Sequence, residues 1–532
     1  MKTNKVFGLA ITLLLFVVTM GYAAPNKDNV SPADSSSLIA NTPLGKLKGA
    51  HVNGVYVWKG IRYAQAPTGE LRFKAPVPVQ AWAGVKDALQ YGAVSPQQES
   101  AIAGIEPQSE DCLFLNVWSP AADGKKRPVM FWIHGGGFLI GSGSSPLYDG
   151  TNMAKNGDVV IVTINYRLGP LGFLYFNDIA PKAGMENNLG MKDQIAALKW
   201  VKQNIAAFGG DPEQVTIFGE SAGGTSVETL MAAPSTKGLF TKAIVQSGPA
   251  AIIWQPKSAT AITEKYLSLL GLKNDEVEKL KTIPLDTLRA AEDKLVDYMV
   301  AELPDKVFCP TVDGDLLPYD IYQCVKNVQD IPLLIGTNMN EASIFVSNKL
   351  KIMPKNAAGF EKYFATVTDD KDTRNKVTSA YKGYPGKRAV QNVLTDAIFR
   401  IPAIRLAECH LNNAPVYMYR FQWSTPALNM IGLRCFHGLD IPFVFGTVDN
   451  GSGKFLKLIS TKKTRTRLIS EMQTAWINFA KYGDPNGKGG GNLDWKPYTT
   501  TDRNTMIFDK HSKLVADPSA TERKAWVGVK YY

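Results

Sequence analysis

The sequence feature that most constrains the fold is a Gly-x-Ser-x-Gly motif at residues 219–223, set between two different patterns. Residues 215–218 have strand character, and residues 225–231 have helical character. A strand that reverses into a helix within one sharp turn leaves no room for side chains beside Ser221, so both flanking positions need glycine. The turn strains the backbone and exposes the serine hydroxyl at the carboxyl edge of a sheet, near a positive helix N-terminus. The motif predicts a nucleophile elbow; the alternative is a small-residue turn that serves packing alone.

The rest of the chain repeats the strand-then-helix pattern. A long amphipathic helix is predicted at 193–208, ended by Gly209-Gly210. Strands are predicted at 113–118, 128–133, 158–166, 215–218, 242–246, 331–336, 415–421 and 506–508. Helical blocks between buried strands predict an α/β fold with a large, mostly parallel sheet covered on both faces. Together with a nucleophile elbow at 219–223, this pattern favours the α/β-hydrolase type. Residues 42–49 and 55–60, with a turn at Gly54, predict a small N-terminal antiparallel edge.

The N-terminus has the features of an export signal. Lys2 and Lys5 precede an apolar run at 6–20, and Ala23 offers a small residue for cleavage. We therefore predict a signal peptide at 1–23, a disordered polar leader at 24–42 and a single domain at 43–532. The expected location is periplasmic or secreted. No stretch reaches the roughly 20 apolar residues of a membrane span, so no stable membrane anchor is predicted.

Charge and cysteine content limit the possible partners. The net charge is +11, and the one dense basic run, 454–467, leads into a helical pattern. That run is interpreted as a solvated helix start; transient contact with an anionic membrane surface is the alternative. The sequence has no nucleic-acid-binding motif, and its five cysteines and five histidines lack metal-ligand spacing. No metal and no cofactor are predicted.

A serine nucleophile needs a base, and histidine is suited to this near neutral pH. In α/β-hydrolases the order along the chain is nucleophile, acid, histidine, which excludes His51 and His134. His410 is expected to be a solvated helix end and His511 a surface residue. His437 lies in a loop beyond the 415–421 strand, and its order and placement favour it.

The acid that orients the base should lie between the serine and the histidine. Glu341 comes just after the buried strand at 331–336, at the expected sheet edge. Asp313 is the alternative, although Asp313-Gly314 is first of all a turn pattern.

The glycine run at 135–137 follows a predicted strand and could supply backbone donors to an oxyanion. Because glycine lacks a Cβ, its peptide can approach a tetrahedral intermediate closely. The expected donors are the amides of Gly136, Gly137 and Ala222. The alternative is a merely flexible loop.

Several long motifs in the same order resemble the type-B carboxylesterase/lipase family, which includes the cholinesterases. The similarity runs from about residue 42 to 500, with motifs at 110–117, 165–169, 208–223, 437–446 and 479–485. The resemblance implies a Ser221–Glu341–His437 triad, small-molecule ester substrates and acyl transfer without a cofactor. It also implies that Ser247 hydrogen-bonds near Glu341 and that Glu220 tunes the site electrostatically. Trp254 corresponds to an acyl-pocket aromatic residue, with core packing as the alternative.

The sequence departs from the family at two places. Cys112 usually pairs with an upstream cysteine, but Ser95-Pro96-Gln97 stands where that partner is expected. The segment between them is short and lacks the tryptophan of the choline-binding loop, so a quaternary-ammonium substrate is not expected. A general carboxylesterase is favoured over a lipase or lysophospholipase, and over a non-catalytic cholinesterase-like binding protein.

Overall fold

The computed structural model describes residues 38–100, 106–250, 252–302, 308–328, 330–346, 353–354, 356–448, 455–488 and 493–530. The predicted signal peptide and the leader up to residue 37 lie outside this part of the chain. The strands are β1 Ile39–Thr42, β2 Gly45–Lys48, β3 Ala50–Val52, β4 Val55–Arg62, β5 Val85–Asp87, β6 Phe114–Ser119, β7 Arg127–Ile133, β8 Val160–Ile164, β9 Gly210–Glu220, β10 Lys242–Gln246, β11 Leu333–Asn338, β12 Val416–Phe421, β13 Asn504–Phe508 and β14 Lys513–Ala516.

Eleven of these strands form one sheet in the order β14-β13-β12-β11-β10-β9-β7-β8-β6-β4-β3. Its centre, from β8 to β13, is parallel, and antiparallel pairs close both edges. The predicted α/β-hydrolase fold is confirmed. Parallel pairing aligns Ile133 with Gly219, and Gln246 with both Glu220 and Gly336. The loops that follow these strands therefore leave the sheet side by side at one edge.

Helices cover both faces of the sheet. They are α1 Thr151–Gly157, α2 Gly169–Phe173, α3 Leu189–Asn204, α4 Ala222–Ala232, α5 Pro256–Leu269, α6 Leu285–Glu302, α7 Ile321–Val328, α8 Ala342–Phe345, α9 Ala357–Val367, α10 Lys371–Ser379, α11 Lys387–Thr395, α12 Ile401–His410, α13 Pro426–Met430, α14 Ile441–Phe445, α15 Phe455–Ile459, α16 Lys462–Tyr482 and α17 Ala520–Ala525. One π-helical turn, Asp396–Arg400, joins α11 to α12.

Central strands bury side chains on both faces, which explains their continuous apolar runs. In β7, Phe131 and Ile133 belong to one apolar core and Met130 and Trp132 to the other. Among the residues that the structure describes, no helix has the length and apolarity needed to cross a membrane.

The N-terminal edge differs from the prediction at two points. Residues 39–42, assigned to the disordered leader, form β1, because Ala40 is buried opposite Leu47 of β2. The predicted hairpin between residues 42–49 and 55–60 is also wrong: β2 pairs with β1 and β5 in a separate three-stranded sheet. The turn at Asn53-Gly54 instead joins β3 to β4, with left-handed φ angles of 54° and 85°.

His410 is buried rather than solvated, which corrects the sequence-based expectation. Its Nε2 lies 2.7 Å from the carbonyl oxygen of Ile331, and burial lowers its pKa. Helix α12 packs against β11 and β12, and His410 is 1% exposed although Glu408 and Cys409 in the same turn are partly exposed. In the basic run, Lys462 and Lys463 are exposed at the start of α16, which fits both a solvated helix start and contact with an anionic surface.

Candidate active site

Ser221 occupies the sharp turn between β9 and α4. Its backbone has φ 58° and ψ −125°, a conformation that side-chain-bearing residues rarely adopt. A Cβ on Gly219 would lie 2.5 Å from the Gly223 carbonyl oxygen, and one on Gly223 would lie 2.1 Å from the Ile133 carbonyl oxygen. Both positions therefore exclude a side chain. The Ser221 amide donates to the Gln246 carbonyl at 2.9 Å, which ties the elbow to β10.

The glycine loop after β7 lies directly against this elbow. A Cβ on Gly135 would lie 2.6 Å from the Glu220 carbonyl oxygen and 3.0 Å from the Ser221 Cβ. Gly136 and Gly137 have φ angles of 107° and 64°. Their amides donate no hydrogen bond to the described residues, whereas the Gly136 carbonyl accepts from the amides of Leu139 and Ile140. The loop is thus a tight turn that touches the serine at Gly135 and, within the described residues, has two amides without a hydrogen-bond partner.

Gln97, which the sequence did not indicate as functional, holds the end of this loop at Gly141 through hydrogen bonds. Its side chain is 1% exposed. Its Oε1 accepts from the Gly141 amide at 2.6 Å, and its Nε2 donates to the Gly141 carbonyl at 2.9 Å and the Ser95 carbonyl at 3.0 Å. The Gln97 amide therefore pairs with Gly141 as a neighbouring strand would. No local pattern signals this role, because the two residues are 44 positions apart.

Glu341 and His437 form a close pair at the same sheet edge. Glu341 is fully buried, and its Oε2 lies 2.6 Å from His437 Nδ1. Its Oε1 accepts from the Ser247 hydroxyl at 2.6 Å and from the Asn338 amide at 2.5 Å. The carboxylate is held at both oxygens, so it can keep the imidazole in one orientation with Nε2 directed away from it.

The loop that carries His437 is fastened to the loop that carries Glu341. Asn338 Nδ2 donates to the Phe436 carbonyl and the Asn340 amide donates to the Cys435 carbonyl, both at 2.9 Å. The rings of Phe345 and Phe399 lie 5.0 and 4.8 Å from the His437 ring. Phe399 belongs to the π-helical turn, which places its ring on the imidazole.

His437 Nε2 is directed toward the elbow. It lies 3.1 Å from Glu220 Oε1, an ion-pair contact without hydrogen-bond geometry. Within the described part of the chain, Nε2 has no hydrogen-bond partner. The structure therefore brings together Glu341, His437, Ser247 and Glu220, with Ser221 adjacent to Glu220 in the chain. It contains no hydrogen bond between Nε2 and the Ser221 hydroxyl.

The charges around His437 favour its protonated form. Burial lowers the pKa of His437, but the negative charges of Glu220 and Glu341 outweigh that effect and raise the pKa above its ordinary value. Burial raises the pKa of Glu220, and Asp440 and Glu341 add to the rise while His437 opposes it. The imidazole is thus a stronger base than a free one.

Asp313 and Trp254, the two other residues considered from the sequence, make contacts that do not include Glu341 or His437. Asp313 Oδ2 accepts from Asn188 Nδ2 at 2.7 Å, and Oδ1 accepts from the Asp315 and Leu317 amides at 3.1 Å. Its carboxylate therefore closes a turn, as the Asp-Gly pattern indicated. Trp254 is 3% exposed, and the centroid of its ring lies 6.3 Å from that of the Phe308 ring.

The position of the missing family disulfide is filled by polar contacts. Cys112 is a buried free thiol, and burial raises its pKa to about 12. Ser95 Oγ accepts from the Leu168 amide at 3.1 Å. Across the described ranges, no group of three or more His, Cys, Asp or Glu side chains could hold a metal ion.

Comparison with known proteins places the chain in a family. The model of the Carboxylesterase family matches residues 36–526. The chain belongs to the carboxylesterase family. It is 39% identical to the para-nitrobenzyl esterase of Bacillus subtilis (strain 168), covering 91% of this chain and 98% of that protein. It is 34% identical to the cholinesterase of Mus musculus, covering 92% of this chain and 86% of that protein.

Solved structures of carboxylesterases share the fold. A para-nitrobenzyl esterase structure superposes with a TM-score of 0.83 at 37% identity, covering 92% of this chain and 99% of that chain. The structure of a Geobacillus stearothermophilus carboxylesterase superposes with a TM-score of 0.82 at 40% identity, covering 92% of this chain and 100% of that chain. The protein is a carboxylic ester hydrolase of the type-B carboxylesterase family.

Proposed function

We propose that Ser221, Glu341 and His437 form a catalytic triad that hydrolyses small-molecule carboxylic esters through an acyl-enzyme intermediate. The observation that carries the proposal is the 2.6 Å contact between Glu341 Oε2 and His437 Nδ1, which directs Nε2 toward the elbow. When an ester occupies the site, the Ser221 hydroxyl donates to Nε2. Hydrogen bonds between catalytic groups are often long before substrate binds and tighten in the complex.

In the first step, Nε2 takes the hydroxyl proton as Ser221 Oγ attacks the ester carbonyl. Glu341 stays ionised and stabilises the imidazolium that forms. The carbonyl oxygen becomes an oxyanion that accepts from the amides of Gly136, Gly137 and Ala222. Losing one such donor costs about 3 kcal/mol of transition-state stabilisation. Nε2 then protonates the alcohol as the carbon–oxygen bond of the ester breaks.

In the second step, water replaces the alcohol. His437 takes a proton from the water as its oxygen attacks the acyl carbonyl, and the same amides hold the second oxyanion. Collapse of this intermediate breaks the bond to Ser221 Oγ, which recovers its proton from Nε2. The acid leaves, and the residues return to their starting state. Every proton moves between groups of this chain, substrate and water, so no cofactor takes part.

The substrate class is proposed to be that of a general carboxylesterase. Relatives of similar sequence are named para-nitrobenzyl esterase and phenmedipham hydrolase, and bile salt-activated lipase is a relative at 34% identity. The alternative is therefore a lipase or lysophospholipase. Trp254 is proposed to line the acyl pocket.

We also propose that the protein is exported. The basic and apolar residues at 1–23 have the order of a secretory signal peptide with cleavage after Ala23. N-terminal sequencing of the mature protein would show a start at Ala24. A mature protein that still begins with Met1 would contradict export by this signal.

The function is tested with Ser221→Ala and a series of p-nitrophenyl esters of increasing acyl length, each with and without emulsion. We expect kcat to fall roughly 10⁴-fold or more, because no other group can form the acyl-enzyme. Short esters should be hydrolysed without emulsion, whereas a lipase would need emulsified long chains. Ser379→Ala, at an exposed serine at the end of α10, is the matched control and should keep full activity. Wild-type rates in the Ser221 variant would refute the proposed mechanism.

A further inference from the structure

A cavity lined by arginines lies apart from the proposed triad. It is small and partly open, with a volume of about 20 Å³ available to water-sized atoms, and it lies between strands β11 to β13, helix α12 and the turn at 517–518. None of Ser221, Glu341 and His437 lines it. The residues that do include four arginines: Arg400, Arg420, Arg503 and Arg523.

Three of these arginines are already neutralised by carboxylates. Arg400 forms a bidentate pair with Asp396, with distances of 2.7 and 2.6 Å. Arg523 forms one with Asp517, with both distances 2.7 Å. Arg503 forms an ion pair with Glu408 through a single nitrogen, Nη1. These three guanidinium groups need no further counter-charge.

Arg420 differs from the other three because its partners are neutral. Its Nη1 donates to the Ser519 hydroxyl at 3.0 Å. Its Nε and Nη2 both lie 2.6 Å from the Gln422 side-chain oxygen, with that amide oriented so that its oxygen faces the guanidinium. Among the described residues, no carboxylate lies within ion-pair distance of Arg420. A guanidinium has five N–H donors, so one on each Nη stays available.

The surroundings make this positive charge unfavourable. Burial and, after it, the positive charge of Arg400 lower the pKa of Arg420 to about 10, although the charges of Asp396 and Glu522 act in the opposite direction. A partly buried cation without a counter-charge is costly for a folded protein. An anion that accepts from the two available N–H groups would offset that cost, because hydrogen bonds between charged groups are the stronger ones.

We propose that this cavity is a binding site for a small anion, held by the guanidinium of Arg420. The planar edge of Arg420 suits a small oxyanion such as phosphate or a short carboxylate, and a halide shares the same charge and acceptor chemistry. Thr337, buried in β11, adds a hydroxyl to the lining. The site is independent of the proposed triad, so failure of one proposal would leave the other standing.

The test measures thermal unfolding of the full chain in increasing phosphate, acetate or chloride. Ionic strength is held constant with gluconate, which is a larger anion than any of the three. We expect at least one small anion to raise Tm saturably above gluconate, since binding to the folded state alone stabilises it by mass action. The phosphate, acetate and chloride arms then distinguish an oxyanion from a halide. Hydrolysis of a p-nitrophenyl ester checks that each sample is folded.

The decisive variant is Arg420→Gln, with Arg467→Gln as the matched control. Arg467 is a partly exposed arginine that pairs with Glu471 and does not line the cavity. The Tm response should be lost in Arg420→Gln, kept in Arg467→Gln and largely restored in Arg420→Lys. An equal response in wild type and Arg420→Gln, or no response of wild type beyond gluconate, would overturn the site. If Arg420→Gln does not fold, wild-type crystals soaked in bromide decide: an anomalous peak beside Arg420 supports the site, and its absence overturns it.

Discussion

At the residue scale, Glu220 is next to the proposed nucleophile, Ser221, and its charge also affects the basicity of His437. Its Oε1 lies 3.1 Å from Nε2, and its charge helps raise the His437 pKa. Hydrolysis needs the neutral imidazole, so activity should rise as pH increases through that pKa and be lost below it. Glu220→Gln removes the charge, lowers the His437 pKa and should move the acidic limb of kcat/KM roughly one pH unit lower. A pH–rate profile with a short p-nitrophenyl ester measures this shift.

The control for this prediction is Glu278→Gln, which removes an exposed carboxylate remote from the elbow. Its profile should match that of wild type. An acidic limb that stays in place or moves to higher pH in Glu220→Gln would show that Glu220 does not act on the base. A loss of activity at every pH without a shift would assign Glu220 a role in shaping the turn instead.

At the element scale, the segment around Gln97 holds the glycine loop in position. Gln97→Leu keeps the approximate volume of the side chain but leaves the buried amide and carbonyl of Gly141 without partners. Each such group costs about 1–3 kcal/mol of the free energy of unfolding. If the loop amides act on the oxyanion as proposed, rather than on the ground-state ester, kcat should fall more than KM rises. Steady-state kinetics and thermal unfolding measure the two effects.

The neighbouring residue supplies the matched control. Gln98 is exposed, and its amide donates to Asp293 of α6 at 2.6 Å. Gln98→Leu should leave kcat unchanged and Tm nearly so. If Gln97→Leu lowers Tm while kcat stays at the wild-type value, the segment stabilises the fold without positioning the oxyanion donors.

At the scale of the whole molecule, a buried ion pair joins the loop after β8 to helix α3. Arg167 and Asp193 are 3% and 0% exposed, and two hydrogen bonds of 2.7 and 2.8 Å link them. Asp193 Oδ2 also accepts from the Arg167 amide at 3.0 Å. Asp193→Asn leaves a buried guanidinium unpaired and should lower the free energy of unfolding by roughly 3–5 kcal/mol. Thermal or urea unfolding measures the loss.

An exposed ion pair, Lys202–Glu213, is the control for the buried pair. Lys202 and Glu213 lie 2.7 Å apart with side-chain exposures of 31% and 73%. Glu213→Gln should cost less than about 1 kcal/mol, because solvent screens the pair. Equal losses in the two variants would show that burial of the Arg167–Asp193 pair does not set its contribution.

The fold was predictable where strands are buried on both faces. Residues 128–133 form a continuous apolar run within β7, and residues 243–245 form the apolar centre of β10. The short edge strands β1 and β14 were missed because they are partly exposed and carry no such run. His410 was misplaced for a related reason: the end of a helix gives no local sign of whether the sheet covers it.

By itself, the sequence determined the elbow, because steric exclusion at Gly219 and Gly223 acts between residues a few positions apart. The order of motifs along the chain was enough to nominate Glu341 and His437. Only the tertiary structure decided which groups meet: Gln97 with Gly141, Glu220 with His437 Nε2, and four arginines around one cavity. Those contacts depend on strand register and helix packing between segments tens to hundreds of residues apart, and no local pattern encodes them.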